Sequence, residues 1–218
     1  MSKLIKQIHD LILLATDKGL TAYWSDSQID DGIHKAQMGF YRELIGEFSK
    51  TKKVRNELLP FQKKASITIT AKFGSLPADY QHERDCWVTS DGKDWPVTIL
   101  EDGAFRNRLN DTIVNPTTDF TNLIANISFD TSNKIELSAQ ITPLVFRYFI
   151  APTKPVYATT ISSGTPVYDD AGSTDVKWTD ETHDVIVDRS LLIFGLSMRD
   201  QQLQRVGSQS IPSEQSAL

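Results

Sequence analysis

The chain has one cysteine, Cys86, in 218 residues. A single thiol excludes an internal disulfide framework, argues against a cysteine-based zinc site and fits a reducing, cytoplasmic folding environment. Long apolar runs are missing too. The longest, residues 11–15 and 191–196, fall well short of the ~20 residues needed to cross a bilayer, so no membrane is expected as a partner. His9, Asp10 and several lysine and glutamine positions interrupt residues 1–14, which therefore do not read as a secretory signal. The histidines number four, His9, His34, His82 and His183, and none has a second histidine at metal-ligand spacing. Gly-x-Ser-x-Gly is absent, and Gly164 and Gly172 lack the glycine and lysine partners of a phosphate loop. No internal repeat and no low-complexity segment is present.

Two local clusters come closest to chemistry. His183 with Asp180, Glu181 and Asp184 reads as a helix start whose carboxylates face the positive end of the helix dipole. His82 and Cys86 on one strand would point the same way some ~13 Å apart, too far for a nucleophile and its base; Cys86 reads instead as a small buried apolar residue. The expectation is therefore no catalytic residue, no cofactor and no metal, and a protein that is not an enzyme.

The net charge of −5 hides an asymmetry. Residues 1–64 hold 11 of the 23 Lys+Arg and 8 of the 28 Asp+Glu, leaving 12 and 20 for the rest. Lys50, Lys52, Lys53, Arg55, Lys63 and Lys64 form a basic cluster; Asp169, Asp170, Asp175, Asp180, Glu181, Asp184 and Asp188 form an acidic one. Such patches are either two solvated surfaces or a means of steering copies of one chain into head-to-tail contact. The basic cluster, with Phe61 among it, could touch phosphates. Nothing around it has the syntax of a recognition helix, so sequence-specific DNA binding is not expected.

Periodicity organises the chain into helices around a β-rich middle. Leu4, Ile5, Ile8, Leu11, Ile12 and Ala15 recur at helical spacing over residues 2–18, with Gly19 where a left-handed stop belongs. Leu13 and Leu14 widen this apolar surface, so the helix wants cover on more than one side. Ser25 and Gln28 have capping-box spacing before a second helix with Ile29, Ile33, Ala36, Phe40, Leu44 and Phe48 as its core stripe. Gly32, Gly39 and Gly46 repeat every seven residues on one face; each costs about 1 kcal/mol against alanine in a helix, which close packing would offset. Thr179 or Asp180 caps a third helix running to Gly207, with Val185, Ile186, Leu192, Ile193, Leu196, Leu203 and Val206 apolar and Arg199 and Arg205 in its C-terminal half. Residues 207–218 hold only Ile211 and Leu218 as large aliphatics and cannot order themselves alone.

Between the helices the period is two. Residues 66–73 alternate as a half-exposed strand, and Gly74-Ser75-Leu76-Pro77 turns the chain. Strands follow around Cys86-Trp87-Val88 and residues 95–100, joined at Ser90-Asp91-Gly92-Lys93. Residues 102–111 read as loop with room for a short helix, and Asn115-Pro116 starts another turn. Residues 124–129 and 134–137 form a hairpin across 130–133. Residues 144–150 are apolar on both faces except at Arg147, as a central strand covered on both sides would be, and Pro152 and Pro155 stop its ladder. Residues 159–172 read as a long surface loop. The fold class is α+β: amphipathic N-terminal helices and a C-terminal helix packed with a mostly antiparallel β-sheet or sandwich. The divisions are 1–60 (N-terminal helical region), 61–178 (β-rich domain), 179–206 (C-terminal helix packing with the N-terminal helices) and 207–218 (an extended arm).

Three stretches give this arrangement a likeness: Leu76-Pro77-Ala78-Asp79-Tyr80; the strand 144–150 running into Pro152 and Pro155; and Trp178-Thr179-Asp180-Glu181-Thr182-His183-Asp184-Val185-Ile186-Val187-Asp188-Arg189-Ser190-Leu191 opening the last helix. In this order the chain resembles the head–tail adaptor or ring proteins of tailed bacteriophages, including podovirus tubular tail proteins and ring proteins of crAss-like phages. The resemblance implies a structural virion protein made in the host cytoplasm. It implies a closed ring of identical subunits, commonly twelvefold, in the neck between the portal protein and the tail or neighbouring ring proteins. Double-stranded DNA would pass through non-specifically during ejection. The subunit or portal interface would then draw on Gly32, Gly39, Gly46, Leu13, Leu14, Lys50, Lys52, Lys53, Arg55, Ile211 and Leu218, and the channel loop on Asp169, Asp170 and Asp175. The competing expectation is a soluble β-sandwich module that binds a ligand or glycan through Trp87, Trp95 and Tyr80.

Overall fold

Local hydrogen bonding sets where the helices begin. In a computed structural model, which describes residues 4–17, 24–90, 92–111, 122–128 and 133–198, helix α1 spans Leu4–Asp17 and α2 spans Asp26–Glu47. The capping box before α2 is complete: Gln28 N donates to Ser25 Oγ at 3.3 Å and Ser25 N donates to Gln28 Oε1 at 2.9 Å. Thr51 caps a short helix α3, Lys52–Glu57, through Val54 N. Thr179 starts the last helical segment by a different bond: Thr182 N and Oγ1 both donate to its carbonyl, making a 3₁₀ turn (Asp180–Thr182) before α5, His183–Met198.

The chain divides into two compact units, residues 1–60 with 152–218, and residues 61–151. The first boundary falls after Pro60. The second falls after Ala151: residues 152–178, expected in the β-rich domain, belong with the helices. Their hydrogen bonds explain it, since Gln37 Nε2 donates to Thr153 O at 2.9 Å and Tyr157 N donates to Asp30 Oδ2 at 3.1 Å, both on α2.

In the helical unit Ile5, Ile8 and Ile12 of α1, Ile29, Ile33, Ala36, Phe40 and Leu44 of α2, and Ile186 and Phe194 of α5 are buried. The Phe40 and Trp178 rings lie 5.0 Å apart, and Arg189 sits over Phe40 while donating to Glu43 at 2.7 Å. Residues 159–172 are not simply loop. They contain a hairpin of β8, Thr159–Ser162, and β9, Thr165–Tyr168. Ser163 and Gly164 form its turn, both at positive φ (54° and 81°), as a two-residue hairpin turn requires. The alternation was masked in the sequence because both faces of this ribbon are polar or exposed.

The other unit is a curled seven-stranded sheet in the order β1-β7-β3-β4-β5-β6-β2: β1 Gln62–Ile67, β2 Phe73–Ser75, β3 His82–Ser90, β4 Lys93–Ile99, β5 Ile124–Ser128, β6 Lys134–Leu137 and β7 Leu144–Phe149. All pairs are antiparallel except β4 with β5. A parallel pair needs a crossover, and helix α4, Asp102–Leu109, stands in it, the short helix for which the sequence left room. Strand β7 buries Leu144, Phe146, Tyr148 and Phe149 but leaves Val145 and Arg147 partly exposed, so its second face is less covered than expected, and it lies between β1 and β3, one position from the sheet edge rather than at its centre. The expected strand over 66–73 is broken in two. Ala71 and Lys72 adopt φ of 50° and 73°, and Thr70 and Phe73 exchange hydrogen bonds of 2.8 and 3.0 Å. This turn joins the two edge strands, so the sheet nearly meets itself. A Cβ on Gly74 would lie 2.4 Å from Ile67 Cγ2, a closeness only glycine allows. The curl encloses Ile67, Val88, Val97, Leu137, Leu144 and Phe146 as its core.

Candidate interaction surfaces

The side chains weighed for chemistry are held apart or used for structure. A bulge between Glu83 and Asp85 sets His82 opposite Phe149 and Cys86 opposite Phe146, hence on opposite faces of β3. Even the shared direction expected from alternation is lost. Burial pushes the Cys86 thiol up to about 12, and its Sγ donates to Val97 O at 3.6 Å. His183 Nε2 lies 3.1 Å from Trp178 O and its Nδ1 3.8 Å from Asp180, tying down the helix start. Among the described residues no group of three His, Cys, Asp or Glu could hold a metal ion, and no helix is long and apolar enough to cross a membrane. Trp87 pairs with Pro96 and Val88 with Trp95, so the two tryptophans project from opposite faces. Tyr80 packs on the core side against Phe146, with ring centroids 5.7 Å apart. The three aromatics of the glycan-binding expectation therefore make no common platform. Trp87 instead lies under Arg147 (4.8 Å) and Lys64 (5.2 Å), with Arg147 bidentate to Asp85 at 2.6 and 2.8 Å.

The expected interface residues separate into used and exposed. Gly32 is buried against the ring of Phe194, whereas a Cβ on Gly39 or Gly46 would meet nothing within 4 Å. Close packing thus accounts for one glycine of the three. Arg55 is turned back onto the end of α2: its Nε and Nη2 donate to the Phe48 and Ser49 carbonyls at 3.4 and 3.3 Å. Lys50 donates to Glu47 at 3.2 Å. Lys52 and Lys53 are exposed on α3. Helix α1 keeps Leu11, Leu13 and Leu14 in water at 48%, 40% and 56% exposure. Ile211 and Leu218, and the third-helix positions Arg199, Leu203, Arg205, Val206 and Gly207, lie outside the described residues, as do Gly19 and Asn115-Pro116.

The acidic loop is likewise divided. Asp175 Oδ1 accepts from Ile5 N and from Val176 N, both at 2.9 Å, so it caps α1. Its carboxylate is thus bound to the first turn of a helix. Asp169 Oδ1 accepts from Ala171 N at 3.0 Å inside the turn after β9. Asp170 is exposed and accepts from Tyr168 Oη at 3.4 Å. On the hairpin itself Ile161 is 82% exposed and Val167 49%.

A buried polar cluster went unread in the sequence. Asp30 is buried, accepts Tyr157 N on both oxygens (3.2 and 3.1 Å), and burial raises its carboxyl to about 6. His9 stacks on the Tyr157 ring at 4.0 Å with a 10° tilt, and both its ring nitrogens are buried without a hydrogen-bond partner. Its Nε2 is 3.5 Å from Asp26, and burial holds its pKa below the ordinary histidine value. Lys154 pairs with Asp31 at 2.6 Å. Residues 153–157 are thereby strapped to α2, which supplies Asp30 and Gln37 seven positions apart on one face. That spacing, two polar residues beside an apolar stripe, was the available signal. The partners, more than a hundred positions downstream, gave no hint.

In the β unit Arg106 on α4 grips buried Glu136 of β6 through two bonds of 3.0 and 2.7 Å, and Asn126 Nδ2 donates to Asp102 at 2.8 Å. Beside them a cavity of ≈ 520 Å³ is lined by Thr98, Leu100, Asn107, Arg108 and Asn122 among others. No family model matches the chain, and no curated protein is significantly similar to it.

Proposed function

We propose that the chain is the subunit of a ring in the neck of a tailed-bacteriophage virion, a head–tail adaptor that joins the portal to the tail or neighbouring ring proteins and surrounds the DNA path. The observation that carries this reading is the apolar surface of the helical unit: Leu11, Leu13 and Leu14 on one helix, and Ile161 and Val167 on a separate hairpin, stand in water. Burying a fully exposed side chain of this kind is worth roughly 1.5–3 kcal/mol, so a neighbour gains about half of that from each half-exposed leucine or valine and most of it from Ile161. A ring closes through a heterologous contact, which requires two different patches on one subunit. Exposed Lys52 and Lys53, against exposed Asp170, Asp180 and Glu181, supply the opposed charge to orient it. The role is mechanical: the subunit holds its neighbours and lets DNA slide without base readout.

The test is assembly. Native mass spectrometry and negative-stain microscopy of the full chain, alone and mixed with the portal of the same virus, should give closed rings, and labelled antibody should mark the virion neck. A monomer under every condition, portal included, together with labelling elsewhere, rules the reading out.

A further inference from the structure

The β8–β9 hairpin combines an anchored base with an unshielded end. At the base Asp169 N donates to Ala158 O, Ala158 N to Ser173 Oγ and Ser173 Oγ to Asp169 O, at 2.9, 2.9 and 2.6 Å. Val156 and Thr174 bridge beneath, and the Tyr157 and Tyr168 rings lie 5.0 Å apart. Beyond this base the ribbon is exposed along both strands, and no third strand extends it among the described residues. An isolated two-stranded hairpin is marginal in water. Here Ile161 and Pro166, directly opposed across the strands, make one apolar face.

Charge selects the occupant. Residues 156–176 contain no Lys, Arg or His, and Asp170 at the base of the hairpin is exposed, whereas Asp169 and Asp175 are bound within their own chain; on α3 Lys52 and Lys53 are exposed, whereas Lys50 is paired with Glu47 and Arg55 with the end of α2. The same unit also exposes three leucines on α1. A second copy of this chain therefore offers both an apolar seat and the opposite charge.

We propose that the hairpin is the plug of a head-to-tail contact: its Ile161–Pro166 face seats on the exposed leucines of α1 in a second copy, with Lys52 and Lys53 of that copy drawing in Asp170 at the hairpin's base. The proposal rests on the ring reading and names the surfaces that would close the ring.

The full chain is the test material. Ile161→Asp should weaken self-association by about tenfold or more, the scale of losing one anchoring contact, with an unchanged circular dichroism spectrum; Ile161→Thr serves as a milder second variant. Mixing an Ile161→Cys chain with a Leu14→Cys chain and oxidising should trap a mixed disulfide dimer, read by mass. Assembly indifferent to the hairpin variants, or crosslinks only between two Ile161→Cys chains, overturns the plug and leaves the ring reading standing. A wild-type chain that stays monomeric even with portal overturns both. Slow alkylation of Ile161→Cys in the monomer, relieved by deleting residues 199–218, would mean the chain's own C-terminal residues cover the hairpin, and also overturns the plug.

Discussion

A Cβ placed on Gly32 would lie 2.3 Å from Cζ of Phe194, so α2 and α5 approach to a distance that only glycine permits. Phe194 is fully enclosed and meets Trp24 edge-on at 5.2 Å, which leaves the ring little room to retreat. Gly32→Ala is expected to cost about 1–3 kcal/mol by overpacking. Gly39→Ala and Gly46→Ala should instead stabilise the isolated chain by about 0.5–1 kcal/mol each, because helix propensity improves and nothing is displaced. Urea titrations of the three variants check the contrast. If Gly39 or Gly46 meets a neighbour in the ring, the same alanine will raise monomer stability and lower assembly together.

The two buried titrating groups on either side of Tyr157 should oppose each other with pH. The folded chain raises the Asp30 pKa to about 6, by burial first; its contribution is full below the usual carboxylate range and is lost as pH rises through about 6. His9 is lowered, also by burial first; its contribution is full above the ordinary histidine value and is lost as pH falls through the folded one. Asp30→Asn, which keeps an acceptor for Tyr157 N, should leave a protein whose stability drops on acidification below about 6.5. His9→Phe should leave one whose stability drops as pH rises through about 6. Melting temperatures between pH 4.5 and 8 read both slopes; identical profiles for the two variants would contradict the assignment.

Asp175→Ala should cost about 1 kcal/mol, the usual value of a lost helix cap, because Ile5 N loses its acceptor. Asp175→Asn should recover part of this. A DNA-channel role would make neutralisation, not loss of the acceptor, the damaging change. Thermal unfolding and amide exchange at Ile5 separate these outcomes.

Glu136 is buried and depends on Arg106 for its bidentate partner. Arg106→Met should cost about 2 kcal/mol, less than the 3–5 typical of breaking a fully buried pair because Arg106 is half exposed. Combining it with Glu136→Gln should restore part of the loss, and a double-mutant cycle in urea measures the coupling.

The turn joining β1 to β2 places Ala71 and Lys72 at positive φ, each disfavoured by roughly 1–2 kcal/mol for an L-residue. Replacing the pair with Asn-Gly should raise stability by about 1 kcal/mol or more without altering the sheet. A chemical-denaturation midpoint that falls would show that the side chains at this turn matter more than its backbone.

What the sequence determined alone is what depends on neighbours a few residues apart: the Ser25–Gln28 capping box, the buried stripe from Ile29 to Leu44, the buried face of Leu144, Phe146 and Tyr148 and the α+β class. Local spacing decides these because the backbone bonds and the burial they require are satisfied within one element. Tertiary structure alone decided the rest. It broke residues 66–73 at a turn no glycine announces, flipped His82 away from Cys86 with a bulge, gave Asp175 to α1, and joined His9, Asp30 and Tyr157 in one buried cluster. Each of these rests on a contact between distant positions, such as Ile5 with Asp175, and a local pattern carries no information about which remote group will supply the missing hydrogen-bond partner.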